Sequence, residues 1–184
     1  NEALGTGHAV QCALPELLQL PKNDKILILS GDVPLLKEDT MKSMFSSNCN
    51  GNLLTTLYED PHGYGRIITN DEGQFLKITE EKDCNDHERK IKEVNAGVYA
   101  FQVELLCKYL PKISNNNAQQ EYYLTDIFEI ILENENIEIG LIQLPKDRSI
   151  ELIGVNTKVG VVQTIFLEQS LTSFGMKTGR NYLE

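Results

Sequence analysis

The residues best suited to chemistry stand at the ends of apolar runs. The clearest case is Ile26-Leu27-Ile28-Leu29-Ser30-Gly31-Asp32-Val33-Pro34, where four aliphatic residues stop abruptly at an acid. Such a run reads as a strand buried on both faces, and Ser-Gly-Asp as the point where it leaves the sheet. In open α/β sheets ligands collect outside the carboxyl ends of strands, so Asp32 stands where a phosphate-bound cation would find an oxygen ligand. The alternative is a turn residue ahead of Pro34. Gly5-Thr6-Gly7 lies just before a helical stretch, where small residues and exposed N–H groups allow close approach by an anion or a base edge; an ordinary turn uses the same residues. Glu80 closes the run Phe75-Leu76-Lys77-Ile78-Thr79, from which its carboxylate can point across a sheet edge. Asn95 and Gly97 interrupt an otherwise apolar strand, and a buried amide there needs either a ligand hydroxyl or amide, or a backbone bond across a bulge. Thr125 and Asp126 precede an apolar helix in the manner of N-terminal caps, and so does Asn156 or Thr157.

These residues require a scaffold of alternating strands and helices. Helical spacing is read over residues 10–20, 37–45, 105–110, after Asp126 through Leu132, and 154–171; strands over 53–58, 93–101 and 137–144. Residues 60–67 read as a glycine-punctuated entry into a strand, and Asn70-Asp71-Glu72-Gly73 as the hairpin turn to a second short strand over Phe75 to Thr79. Residues 80–92 are almost wholly charged or polar and read, apart from Glu80, as a solvated loop or short helix. The alternation predicts a layered α/β fold with at least a partly parallel sheet.

Composition narrows the function classes. The 184 residues carry 27 acids against 17 Lys and Arg, a formal net charge of −10, which opposes non-specific nucleic-acid binding. The absence of a long apolar stretch, a leader or a lipidation signal predicts no membrane insertion and a cytoplasmic protein. Cys12, Cys49, Cys84 and Cys107 are widely spaced, and His8, His62 and His87 lack the pairing of a zinc hydrolase site, so neither a disulfide framework nor a transition metal is expected.

In combination the segments resemble the uridyltransferase domain of the N-acetylglucosamine-1-phosphate uridyltransferase family, over residues 1 to about 170. The resemblance rests on Leu4-Gly5-Thr6-Gly7-His8-Ala9, Gly31-Asp32-Val33-Pro34-Leu35, Gly63-Tyr64-Gly65-Arg66-Ile67, Glu80 with Lys82-Asp83, and Asn95-Ala96-Gly97. It continues through residues 115–119, Glu121-Tyr122-Tyr123 with Thr125-Asp126, and Gly154-Val155-Asn156. It implies a Rossmann-like (GT-A-like) nucleotidyltransferase fold, with a mixed, mainly parallel sheet and a small antiparallel ribbon, over residues 1–172, followed by a tail at 173–184. The implied reaction joins UTP and N-acetylglucosamine 1-phosphate to give UDP-N-acetylglucosamine and pyrophosphate, with Mg2+. The resemblance assigns uracil contacts to Gly5 and Thr6, the nucleotide and metal site to Ser30, Gly31 and Asp32, and the metal itself to Asp32 and Asn156. Gly65, Glu80 and Asn95 would bind the sugar, with Tyr123 and Thr125 close by.

The chain also departs from that family. A Leu-Ala-Ala-Gly loop, a Gly-Thr-Arg-Met run and a following Lys, which cradle the triphosphate, do not occur in the 184 residues, so the first β-α-β portion of the fold is expected to be missing. Ser30 stands where the family often has Tyr, and Ala96 where Thr is common. No hexapeptide repeats occur, so no left-handed β-helix and no acetyltransferase activity are expected. Two further readings remain: a sugar-nucleotide-binding or regulatory module without turnover, and a nucleotidyltransferase for another sugar 1-phosphate.

Overall fold

The computed structural model describes residues 4–30, 33, 35–152 and the backbone of 163–167. Helices α1 (Thr6–Cys12) and α2 (Leu14–Leu17) lead into β1 (Lys25–Ser30), followed by α3 (Glu38–Ser43), β2 (Gly51–Leu57), and the hairpin β3 (Arg66–Thr69) and β4 (Phe75–Thr79). The long strand β5 (Glu93–Gln102) then runs into α4 (Val103–Tyr109), with α5 (Asp126–Asn134), β6 (Ile139–Gln143) and β7 (Gln163–Leu167) completing the order.

The expected α/β sheet is present and mixed. Its parallel share is smaller than expected: β2–β6 is parallel, while β1–β5, β1–β7, β2–β5, β3–β4 and β3–β5 are antiparallel among the described residues. The reason is β5. It inserts between β1 and β2 and runs against both, so strands that share a direction never meet there.

The apolar run of β1 follows from burial on both faces. Ile26 and Ile28 face one core with Leu53, Tyr99, Phe101 and Phe128. Leu27 and Leu29 face the other with Met44, Leu54, Val98, Ala100 and Leu152. Residues alternate sides along a strand, so a strand covered above and below must be apolar throughout. Helices α1, α2, α4 and α5 supply the first layer; α3 and a 3-10 stretch at Lys146–Leu152 supply the second. That stretch is fastened by Glu151, 0% exposed, which accepts hydrogen bonds from the Thr40 hydroxyl (2.7 Å), Arg148 Nε (2.7 Å) and the Lys37 N–H (3.1 Å).

Two helices differ from the sequence expectation. The helix read at 10–20 starts at Thr6 and is divided at Ala13, just before Pro15, whose ring carries no N–H to continue the ladder. Its start is set by Gly5 at φ +99°, where an added Cβ would lie 2.7 Å from the Tyr122 carbonyl oxygen. The helix read at 154–171 is replaced at Gln163–Leu167 by β7, which pairs with β1 from Ile26↔Leu167 to Ser30↔Gln163. A short apolar run suits either state, and the open edge of β1 decides for strand. No helix among the described residues is long and apolar enough to cross a membrane.

Candidate functional site

The site forms where one edge of β5 changes partner. At Val94 that edge pairs with Arg66 of β3, and the Asn95 N–H continues the contact to the Gly65 carbonyl at 2.9 Å. From Val98 onward the same edge pairs with β1, starting at Leu29. The end of β1 and the start of β3 therefore approach each other along β5 with Asn95-Ala96-Gly97 between them. A bulge accommodates the change: four steps on β5, Asn95 to Tyr99, face two on β2, Leu53 to Thr55, and Gly97 takes φ +71°. The opening is a cleft of about 260 Å3, lined by Thr6, Ser30, Gly65, Glu80, Asn95, Gly97, Tyr99 and Thr125 among others.

Glu80 extends just past β4. Its Oε1 accepts a hydrogen bond from the Thr125 hydroxyl at 3.0 Å. Burial pushes the carboxyl above its usual range and the charge of Asp83 adds to this, while the Thr125 bond works in the opposite direction. Opposite it, Gly65 leaves no room for a side chain: a Cβ there would lie 2.9 Å from Ile78 Cγ2 and 3.3 and 3.4 Å from the Glu80 carboxylate oxygens. Asn95 is held inside its own bulge, Nδ2 donating to the Tyr99 hydroxyl (2.7 Å) and Oδ1 accepting from the Gly97 N–H (3.1 Å). The amide retains a second N–H and a second lone pair for a ligand. Asn95 thus closes a bulge, as one of its two sequence readings has it, and it also lines the cleft.

Thr6 is fixed by docking of the N-terminal helix on residues 121–124. The Gly7 N–H donates to the Tyr122 carbonyl (2.7 Å), the Tyr122 N–H to the Leu4 carbonyl (2.8 Å), and the Leu124 N–H to Thr6 Oγ1 (3.1 Å). A second, larger cleft of about 710 Å3 adjoins the first through Thr6, Gly63 and Glu80, and is also lined by Tyr123 and Glu121. Tyr123 is 8% exposed, and its hydroxyl has no hydrogen-bond partner among the described residues. Burial, then the charges of Asp83, Glu80, Glu121 and Asp126, pushes that hydroxyl up to about 12. The same acidic surroundings act on Asp126, which is raised to about 6 by burial and then by Glu80, Glu129 and Asp83. The larger cleft is also lined by Lys82 and Arg89, so this end of the site presents both carboxylates and cations.

Of the residues singled out in the sequence, Thr6, Ser30, Gly65, Glu80, Asn95 and Thr125 line one cleft, Tyr123 lines its neighbour, and Gly5 sets the approach of Thr6. Gly31, Asp32 and Asn156 lie outside the described residues. Among the described residues no three His, Cys, Asp or Glu side chains are grouped to hold a metal. Thr125 does not cap α5 with its side chain; the hydroxyl is committed to Glu80. Sequence reasoning missed Tyr99, the partner of Asn95, and the ion pair between buried Arg66 and half-buried Glu81 (2.6 Å). The available signal was Arg66 itself, a charge opening the strand Arg66-Ile67-Ile68, which must be paired if buried.

The chain matches the family model described as Nucleotidyl transferase over residues 1–144. It belongs to the nucleotidyl transferase family. Its curated relatives within that family include the Bifunctional protein GlmU of Clostridium acetobutylicum, 43% identical over 167 residues that make up 89% of this chain and 35% of the relative. The Bifunctional protein GlmU of Clostridium botulinum (strain Loch Maree / Type A3) is 38% identical over 100% of this chain and 40% of its own. The chain thus spans well under half the length of these relatives. Among solved structures, the nucleoside-diphosphate-sugar pyrophosphorylase of Vibrio cholerae matches with TM-score 0.55 at 14% identity, over 80% of this chain and 60% of the other. A Bacillus anthracis protein described as a glucose-1-phosphate thymidylyltransferase matches with TM-score 0.52 at 13% identity, over 89% and 56%. These two share the nucleotidyl transferase's fold.

Proposed function

We propose that this nucleotidyl transferase joins UTP to N-acetylglucosamine 1-phosphate, releasing pyrophosphate and forming UDP-N-acetylglucosamine. The observation that carries the reading is the convergence of Gly65, Glu80, Asn95 and Thr125, from four separate segments, on one cleft beside Ser30 at the end of β1. The identity to Bifunctional protein GlmU relatives supports it. In this scheme Glu80 accepts hydrogen bonds from sugar hydroxyls, Gly65 lets the sugar ring approach its backbone, and the free N–H of Asn95 meets a sugar oxygen. Gly5 and Thr6 hold the uracil. The sugar's phosphate oxygen attacks the α-phosphorus of UTP in line, the bond from that phosphorus to the bridging oxygen breaks, and the pair of electrons leaves with pyrophosphate. Positioning of the two phosphates is the chain's main contribution.

Asp32 and Asn156 would hold Mg2+, a carboxylate and an amide oxygen being hard donors suited to a cation that completes its shell with phosphates and water. Ser30 and Val33, which lie on either side of Asp32 in the sequence, line the cleft. Bound there, the ion supplies positive charge against that of the phosphates. The test is pyrophosphate release by the full-length gene product from UTP and N-acetylglucosamine 1-phosphate in the presence of Mg2+. Turnover that exceeds that with other sugar 1-phosphates and is abolished by Asp32→Asn is expected; no pyrophosphate from any sugar 1-phosphate overturns the reading.

A further inference from the structure

We propose that Arg66 and Glu81 are positioning residues that set the spacing between Gly65 and Glu80, and so tune the cleft for its sugar; this rests on the uridyltransferase reading above. The paired ladder of β3 and β4 ends at Arg66↔Thr79. Gly65 and Glu80, one residue beyond it on each strand, both line the cleft without belonging to the ladder. Strand ends beyond their last hydrogen-bonded pair fray unless something else ties them. Gly65 is tied to β5 by the Asn95 N–H and Glu80 to the start of α5 by the Thr125 hydroxyl, and the next side chains tie the two strand ends to each other.

Arg66 is 2% exposed, and its guanidinium reaches in two directions. Nη2 donates to Glu81 Oε2 at 2.6 Å, and Nη1 donates to the Tyr64 carbonyl, inside the turn that carries Gly65. Glu81 in turn accepts from the Gly63 N–H (3.4 Å) through Oε2 and from Arg89 Nη1 (3.1 Å) through Oε1. One carboxylate next to Glu80 thus grips both ends of the turn over Glu80. A buried ion pair adds little stability over an apolar pair of the same volume, because desolvation offsets its attraction. What it adds is direction, since a planar fork fixes both distance and angle. The clearance it maintains is narrow, with the Glu80 carboxylate oxygens 3.3 and 3.4 Å from the place a Gly65 Cβ would occupy.

The experiment compares the full-length protein with the double variant Arg66→Met/Glu81→Gln, which keeps side-chain volume and leaves no buried charge unpaired. The double variant is expected to melt within about 4 °C of the parent. Its KM for N-acetylglucosamine 1-phosphate is expected to rise about tenfold while its KM for UTP changes less than about twofold, a split that general loosening would not produce. Arg66→Lys, which keeps the charge and loses the fork, is expected to fall between the two and decides the matter by the same split if the double variant fails to fold. An unchanged sugar KM in a folded variant, or sugar and UTP KM rising together, overturns the positioning role. Failure of the parent protein to turn over UTP is seen before any variant is made and counts against the uridyltransferase reading itself.

Discussion

The hydrogen bond from Thr125 to Glu80 links two residues whose sequence contexts point to different roles. Thr125 stands before an apolar helix, a position from which a hydroxyl ordinarily caps backbone N–H groups. Here the hydroxyl donates to the Glu80 carboxylate at 3.0 Å and makes no cap hydrogen bond. The bond favours the ionised form of a carboxyl that burial has already raised. Thr125→Val therefore raises the Glu80 pKa further. If ionised Glu80 accepts the sugar hydroxyls, activity is lost as pH falls through that pKa, so the acidic limb of kcat/KM moves to higher pH in the variant. A limb that stays in place would separate Glu80 from sugar binding. At saturating pH the variant should lose roughly tenfold in kcat/KM, in keeping with about 1.5 kcal/mol for a hydrogen bond to a charged group. Arg66 and Glu81 show why the remainder of the site was hidden in the sequence. Within a run of mixed charges no single carboxylate is distinguishable, and only the fold brings Glu81 to a guanidinium fifteen positions away.

At the scale of elements, legibility followed how many faces of a segment are covered. The apolar run of β1 announced itself because both its faces lie in cores. Phe75–Thr79 was read with its observed bounds, and the Asn-Asp-Glu-Gly turn joins β3 to β4 as expected. Gln163–Leu167 was misread because its state depends on an edge supplied by a distant strand, which local periodicity does not encode. The N-terminal helix was placed too late because its start depends on Gly5 meeting Tyr122, again a contact from far along the chain. That contact gives a graded prediction. Gly5→Ala meets both an unfavourable φ of +99° and a backbone oxygen at 2.7 Å, whereas Gly97→Ala meets φ +71° with Ser30 Cβ at an ordinary 3.8 Å. Chemical denaturation should show about 1 kcal/mol lost for Gly97→Ala and at least twice that for Gly5→Ala. Equal losses would mean that the docking of α1 on residues 121–124 relaxes without resistance.

Across the whole molecule, the side of the cleft that carries Glu80, Asn95 and Thr125 depends on the first core. Phe128 of α5, 0% exposed, stacks on Phe101 with ring centroids 4.9 Å apart and meets Tyr99 at 5.5 Å and Phe75 at 5.7 Å. It joins the helix that follows Thr125 to the strand bearing Asn95 and to the strand before Glu80. Phe128→Ala should cost about 3–5 kcal/mol and lower the melting midpoint by roughly 10 °C. A loss under about 1 kcal/mol would show that α5 contributes little to this core. The partner change along β5 has a consequence of another kind. With β1 and β3 registered on the same edge, the width of the opening is counted out in residues of a single strand, between the partners of Leu29 and Arg66. That strand works as a ruler: one residue added or removed there would alter the gap by about 3.3 Å and turn every later side chain to the opposite face. A protein built this way can change the spacing of β1 and β3 along β5 only in whole-residue increments.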